Sequence, residues 1–235
     1  DGGMCCAAAC KMPRARRVDS FPVLRYHSGM QAFIFVNGEA SSPRYYRRHM
    51  NRVRRQEDLI ICADGGYRLA DSLSITPNLL IGDLDSVADI HPESTRIIRY
   101  PREKDSSDFE LALRKAEDLK AERVYVYGAL GGRPDHLLVN LVLLAHAGVP
   151  VVFQEESAEC RNVPGEVVLE GYRDSICSLV PLDTCVVSNR GFKYPLDRET
   201  LHPNSRGLSN LVVEEVASVT RINGTLVLLL LPGRS

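Results

Sequence analysis

The 235-residue chain contains no tryptophan, and only 6% of its residues are aromatic. Any stacking on a cationic or flat ligand therefore falls to tyrosine or phenylalanine, weaker faces than indole. Charge of either sign is not in excess: 29 basic side chains against 30 acidic ones leave a net charge of −1. That balance excludes a general nucleic-acid binder, which would carry a basic surplus. Long apolar runs are missing too. The longest, Leu226 to Pro232, falls far short of the roughly 20 residues a membrane span needs. The seven cysteines are odd in number and irregular in spacing, which does not make a disulfide framework. Cys5, Cys6 and Cys10 have no second pair or histidine at zinc-like spacing. All seven read as thiols of a reducing, cytoplasmic setting. A chain of this length buries enough core to need no metal or disulfide staple.

What is present begins at Met30. Residues 1–29 are Cys- and Ala-rich, then basic and aperiodic, and read as a poorly ordered or foreign leader. Beyond it, short apolar runs alternate with helical patterns. Phe33–Val36, Leu59–Ala63, Leu79–Ile81, Arg96–Tyr100, Val124–Tyr127 and Val151–Phe153 read as strands. Helices are expected over 43–56, after Gly66 to Leu73, over 107–120 and over 134–147. Ser107 and Glu110 form a capping box, and Phe109, Ala112, Leu113, Ala116 and Leu119 follow at helical spacing. Strands apolar throughout, alternating with helices, imply an open parallel sheet covered on both faces. After about residue 155 the pattern becomes short β-rich runs punctuated by glycine, with a hairpin signal at Ile222-Asn223-Gly224-Thr225. The expected fold is thus an α/β domain with an open, mostly parallel sheet over 30–156 followed by an antiparallel β-sandwich over 157–235.

In open parallel sheets, ligands bind beyond the carboxyl ends of the strands. Here those ends carry Asn37-Gly38, Asp64-Gly65-Gly66, Asp83-Leu84-Asp85-Ser86 and Gly128 to Arg133, including Gly131 and Gly132. Glycines let the backbone approach a ligand, and amides before a helix suit phosphate. Asp83 and Asp85, two apart, face one side if the segment is extended. Asp105 and Asp108 open a helix. Carboxylates gathered this way repel unless a cation sits among them, and oxygen-only ligands point to Mg²⁺. The plainer alternative for Asp105 and Asp108 is a favourable place at a helix N-terminus. Lys104 and Arg133 are the natural phosphate partners. Asp135 and His136 follow Arg133 on the next helix, and the six arginines between Arg44 and Arg55 read as the wet face of another.

Taken together, Ala63-Asp64-Gly65-Gly66, Ile81 to Ser86, Lys104-Asp105-Ser106-Ser107-Asp108, Gly128 to His136 with Asn140, Gly191 to Leu196 and Leu208-Ser209-Asn210 resemble the thiamine pyrophosphokinase family, in family order over about 31–231. The resemblance implies transfer of pyrophosphate from ATP to the thiamine hydroxyl, leaving AMP. It implies a homodimer whose active sites lie where the α/β domain of one subunit meets the sandwich of the other. Asp83, Asp85 and Asp105 would hold Mg²⁺ with Asp108 close by. Asn37, Gly38, Asp64, Gly65, Gly66, Lys104, Gly131, Gly132 and Arg133 would face ATP. Tyr194, Ser209 and Asn210 would face thiamine, with Tyr194 where the family often has tryptophan. Asp105 and Asp135 are both candidates to accept the hydroxyl proton. Two rival readings remain: a haloacid-dehalogenase-like phosphatase using Asp83, and a nucleotide-binding module without turnover.

Overall fold

The computed structural model describes residues 29–39, 42–85 and 94–232. The leader up to residue 28, its three cysteines and Ser86 lie outside the described residues.

Six strands run parallel: β1 (Gln31–Phe35), β2 (Leu59–Ala63), β3 (Leu79–Gly82), β4 (Arg96–Arg99), β5 (Arg123–Tyr127) and β6 (Val151–Gln154). β1 is wholly buried, so both pleat faces demand apolar residues, and its Ala-Phe-Ile-Phe core supplies them. Phe33, Phe35, Tyr125 and Tyr127 pack on one face beneath α1 (Pro43–Val53) and α2 (Gly66–Ser72). Ala32, Ile34, Val124 and Val126 pack on the other, beneath α3 (Asp108–Asp118) and α4 (Pro134–His146). Phe109 and Leu113 of α3 are buried there, each contributing roughly 1.5–3 kcal/mol by leaving water. Helix starts follow their capping residues. The Ser42 side chain accepts from the Tyr45 amide at 3.3 Å, and Ser107 Oγ accepts from the Glu110 amide at 3.1 Å.

The sheet does not stop where the domains were expected to part. β7 (Glu159–Asn162) pairs antiparallel with β6, and β14 (Leu226–Leu231), β9 (Ile176–Pro181) and β12 (Asn210–Leu211) follow. One ten-stranded sheet results, in the order β12-β9-β14-β7-β6-β5-β1-β2-β3-β4. A second sheet of four strands, in the order β11-β10-β13-β8, comprises β8 (Glu166–Glu170), β10 (Cys185–Arg190), β11 (Leu196–Leu201) and β13 (Val216–Asn223). It faces the antiparallel end, forming the sandwich. Leu169, Val187 and Val219 of the small sheet share one core with Leu179 and Leu228 of the large one, and that core continues under α1.

The expected hairpin at Asn223-Gly224 is a correction. β13 belongs to the small sheet and β14 to the large one, so the turn is a corner between sheets. Gly224 supplies the required positive φ of 76°, and a side chain there would stand 2.5 Å from the Thr184 carbonyl oxygen.

Candidate active site

The strand order turns at β1, which has β2 on one side and β5 on the other. The loops leaving β1 and β5 therefore diverge to opposite faces and open a crevice at their carboxyl ends. A cleft of about 250 Å³ lies there, lined by Asn37, Gly38, Asp64, Asp108, Gly128, Gly131, Arg133, His136 and Asn140 among others. Close approach fixes the glycines. A Cβ at Gly38 would stand 1.9 Å from the Gly128 carbonyl oxygen, and one at Gly66 2.0 Å from that of Phe35. At Gly65 it would collide with the Asn37 side chain. Gly132 has φ 86°, which favours glycine. His136 and Asn140, one turn apart on α4, were not among the expected ligand contacts. Asn140 donates to the Ala129 carbonyl at 3.3 Å and so ties α4 to the glycine loop.

Asp64 and Asp108 meet at the floor, with Asp83 close enough to repel Asp108. A Cβ at Gly82 would lie 3.0 Å from Asp64 Cβ and 3.1 Å from Asp108 Oδ1, so those two atoms are no further apart than the sum of these distances. Asp64 Oδ1 and Asp108 Oδ1 are both buried without a hydrogen-bond partner. Lys104 Nζ stands 3.1 Å from Asp108 Oδ1, an ion pair not directed as a hydrogen bond, and donates to the Pro101 carbonyl at 3.2 Å. Burial raises the Asp108 pKa; Lys104 opposes the rise, and Asp64 and Asp83 add to it by repulsion.

Asp83 and Asp85 do not point the same way, contrary to the expectation from their spacing. Leu84 has φ 64°, so the segment is not extended and the alternation is lost. Asp83 is half-buried with the inner carboxylates, and its Oδ1 accepts from the Asp85 amide at 3.2 Å. Asp85 is exposed, 3.5 Å from Arg102, and Asp105 is exposed as well. Among the described residues no three His, Cys, Asp or Glu side chains are grouped to hold a metal as they stand.

Arg133 grips Asp135 in a fork, Nε to Oδ1 at 3.1 Å and Nη2 to Oδ2 at 2.5 Å. This pairing pulls the Asp135 pKa down to about 2. A carboxylate so held is a poor proton acceptor near neutrality.

The candidate thiamine residues cluster elsewhere, and none of them lines the cleft. Tyr194 is 60% exposed, with Lys193 Nζ 5.5 Å from its ring centre. Asn210 is buried beneath it. Asn210 Nδ2 donates to the Tyr194 carbonyl at 2.7 Å, and Asn210 Oδ1 accepts from the amides of Tyr194 at 3.1 Å and Leu211 at 2.9 Å. The Asn210 side chain is therefore committed largely to backbone. Ser209 is exposed at φ 60°, its amide donating to Ser178 Oγ at 3.0 Å.

Residues 50–153 match the family model described as "Thiamin pyrophosphokinase, catalytic domain", and residues 166–226 match "Thiamin pyrophosphokinase, vitamin B1 binding domain". The chain belongs to the thiamine pyrophosphokinase family. The thiamine pyrophosphokinase of Bacillus subtilis (strain 168) is 28% identical over 175 residues, spanning 69% of this chain and 81% of that protein. In three dimensions the chain is similar to the solved thiamine pyrophosphokinase of B. subtilis, with TM-score 0.73 and 20% identity over 87% of this chain and 100% of that one. The enzyme of Geobacillus thermodenitrificans gives 0.71 and 22%, over 86% and 97%. At these identities the structural likeness speaks for the fold.

Membership of the thiamine pyrophosphokinase family orders the site. The catalytic match holds the converging carboxylates and Arg133, while the vitamin-binding match holds Tyr194, Ser209 and Asn210. Sequence reasoning missed Asn189. Its Oδ1 accepts from the Leu196 amide at 2.8 Å and its Nδ2 donates to the Tyr194 carbonyl at 3.4 Å. Being buried, it fixes the Tyr194 loop from the other side, a role no sequence motif announces.

Proposed function

We propose that this chain transfers the pyrophosphoryl group of ATP to the hydroxyl of thiamine, giving thiamine diphosphate and AMP. The observation that carries the chemistry is a pair of buried carboxylate oxygens, Asp64 Oδ1 without a partner and Asp108 Oδ1 ion-paired to Lys104, at the floor of a glycine-lined cleft at the strand-order switch. A buried anionic oxygen without a partner is costly and fits a site that receives a cation with its ligand.

The amides of Asn37-Gly38 and Gly131-Gly132 would receive phosphate oxygens, and Arg133 would turn its fork from Asp135 to a phosphate. Asp83, with Asp64 and Asp108 beside it and Asp85 and Asp105 at the rim, would hold Mg²⁺, which neutralises triphosphate charge and takes its remaining ligands from the phosphates. Once Arg133 turns to a phosphate it no longer holds the Asp135 carboxyl down, so Asp135 becomes free to accept the thiamine hydroxyl proton. Transfer of this kind depends on positioning and charge neutralisation, which these groups would supply together. The phosphatase reading gives the vitamin-binding half no task, and a turnover-free module gives the gathered carboxylates none.

The homodimer belongs to the same proposal. Tyr194, Ser209 and Asn210 stay out of the cleft of their own subunit, so a second subunit would have to supply them. Leu138 at 65%, Val139 at 50% and Val142 at 50% exposure leave an apolar face on α4, the helix that opens at the cleft. Such a face suits a protein interface. Sedimentation equilibrium should return twice the chain mass, and a monomer at micromolar concentration would refute the shared site. A cytoplasmic setting fits the four unpaired thiols among the described residues, Cys62, Cys160, Cys177 and Cys185, all buried.

The test of the reaction is the product. Chain, ATP, Mg²⁺ and thiamine should yield AMP only when thiamine is present. ADP would mark an ordinary kinase, inorganic phosphate a phosphatase.

A further inference from the structure

We propose that Glu155 is a positioning residue for the nucleotide cleft, holding the glycine loop after β5 from behind. The inference rests on the cleft being the ATP site. Glu155 begins the turn between β6 and β7, where the parallel half of the sheet gives way to the antiparallel half, and its amide bonds the Ala158 carbonyl at 3.0 Å. It is only 3% exposed, although it is a carboxylate. Oε1 accepts the Gly128 amide at 2.8 Å, and Oε2 accepts the Tyr46 hydroxyl of α1.

Gly128 is the first residue of the loop that lines the cleft, with φ 80°. Its amide is held by Glu155, and its carbonyl oxygen is the atom that a side chain on Gly38 would strike. The Gly128 residue is thus gripped between the buried carboxylate and the other glycine turn of the cleft. Gly131 and Arg133 follow within five residues. Tyr46 cannot yield, because α1 is fastened twice more to the same sheet: His49 Nδ1 lies 2.8 Å from the Tyr127 hydroxyl, and Gln154 Nε2 donates to the Tyr45 hydroxyl at 2.7 Å. A buried carboxyl is tolerated only where its hydrogen bonds are made. In the Glu155 position both oxygens are bonded, and one bond fixes the peptide on which the phosphate-facing amides depend.

The test uses the full chain and three variants, Glu155→Ala, Glu155→Gln and Tyr46→Phe. Each is assayed for AMP release against ATP and against thiamine, with ATP binding measured separately by titration calorimetry. Misplacing cleft groups by about 1 Å can cost on the order of 100-fold, so Glu155→Ala should raise KM for ATP about 10-fold or more while KM for thiamine stays within about threefold. Glu155→Gln keeps an acceptor for Gly128 and an NH₂ facing Tyr46, and should return ATP KM to within about threefold of the parent. Tyr46→Phe should fall between them. An unchanged ATP KM in Glu155→Ala, or equal rises for both substrates, would overturn the proposal by leaving Glu155 a merely structural group. Should Glu155→Ala not fold, unchanged ATP affinity in Tyr46→Phe would overturn it. If the unaltered chain binds ATP but releases no AMP, the reaction assignment fails while calorimetry still reads the positioning role.

Discussion

Replacing Asn210 by alanine should loosen Tyr194 and weaken thiamine selectively. The wild-type side chain makes three hydrogen bonds of 2.7, 3.1 and 2.9 Å, two to the Tyr194 backbone and one to the Leu211 amide. Each neutral bond contributes about 0.5–1.5 kcal/mol net. Water can reach part of the freed backbone beside exposed Tyr194, so the low half of the range applies and the loss is about 2 kcal/mol. For a chain of this length that lowers Tm by roughly 4–8 °C. Among the described residues no aromatic ring stacks on Tyr194, and Lys193 Nζ lies 5.5 Å from its centre, so the ring's direction depends largely on the backbone that Asn210 and Asn189 hold. Losing half of the stacking free energy of a cationic ring, about 1 kcal/mol, raises thiamine KM roughly fivefold. ATP KM should not move. Steady-state AMP release against each substrate, with a thermal melt, reads all three quantities. Asn210→Asp keeps the two accepted bonds and loses the donated one, so it should lie between. If Asn210→Ala lowers Tm but leaves thiamine KM unchanged, Tyr194 is not the ring that meets thiamine and the argument fails.

Asp108→Asn should raise Tm by a few degrees while cutting AMP release at least about 100-fold, because it removes a buried charge facing Asp64 and Asp83 that serves function at the expense of stability; a lower Tm in a melt would contradict this. Gly38→Ala should weaken ATP binding about 10-fold or more, since its Cβ would press on the Gly128 carbonyl oxygen, and calorimetry checks it. His49 is held neutral inside α1, chiefly by burial and then by Arg52 and Arg161, with its pKa lowered from 6.5 to about 3. A lowered folded-state value means the unfolded chain takes the proton first. The His49 contribution is therefore full above pH 6.5 and is lost as pH falls from there toward 3. Urea melts of His49→Asn should show a flatter acid limb by about 2 kcal/mol between pH 6.5 and 4.5, and an unchanged slope would refute it.

The parallel half was legible because its inner strands, β1, β2, β3, β5 and β6, are buried on both faces and so carry mostly apolar runs, while β4 at the edge still shows Ile97-Ile98. The strands that escaped sequence reading violate that link. β7 is buried but reads Glu-Cys-Arg-Asn, because Glu159 and Arg161 neutralise one another inside and Tyr172 bonds both. β11 reads Leu-Asp-Arg-Glu-Thr-Leu at the edge of the small sheet, where most of its side chains meet water. The Asn223-Gly224 turn looks alike whether its flanking strands pair with each other or part between sheets. At the site, the loops and carboxylates were identifiable by type and place. Which carboxylates converge was not, since it depends on two left-handed residues, Leu84 and Asp64 itself, and on the depth of Asp64 beside Gly82. Asn189 and Glu155 act through backbone amides, a role invisible without coordinates.

The most direct test of the carboxylate floor is thiamine-dependent AMP release by the unaltered chain and by Asp83→Asn, side by side over a magnesium titration. The account predicts one AMP per thiamine diphosphate from the unaltered chain. It predicts a loss of at least about 100-fold in Asp83→Asn, at a Tm no lower than the parent's. Undiminished AMP release by Asp83→Asn would contradict it.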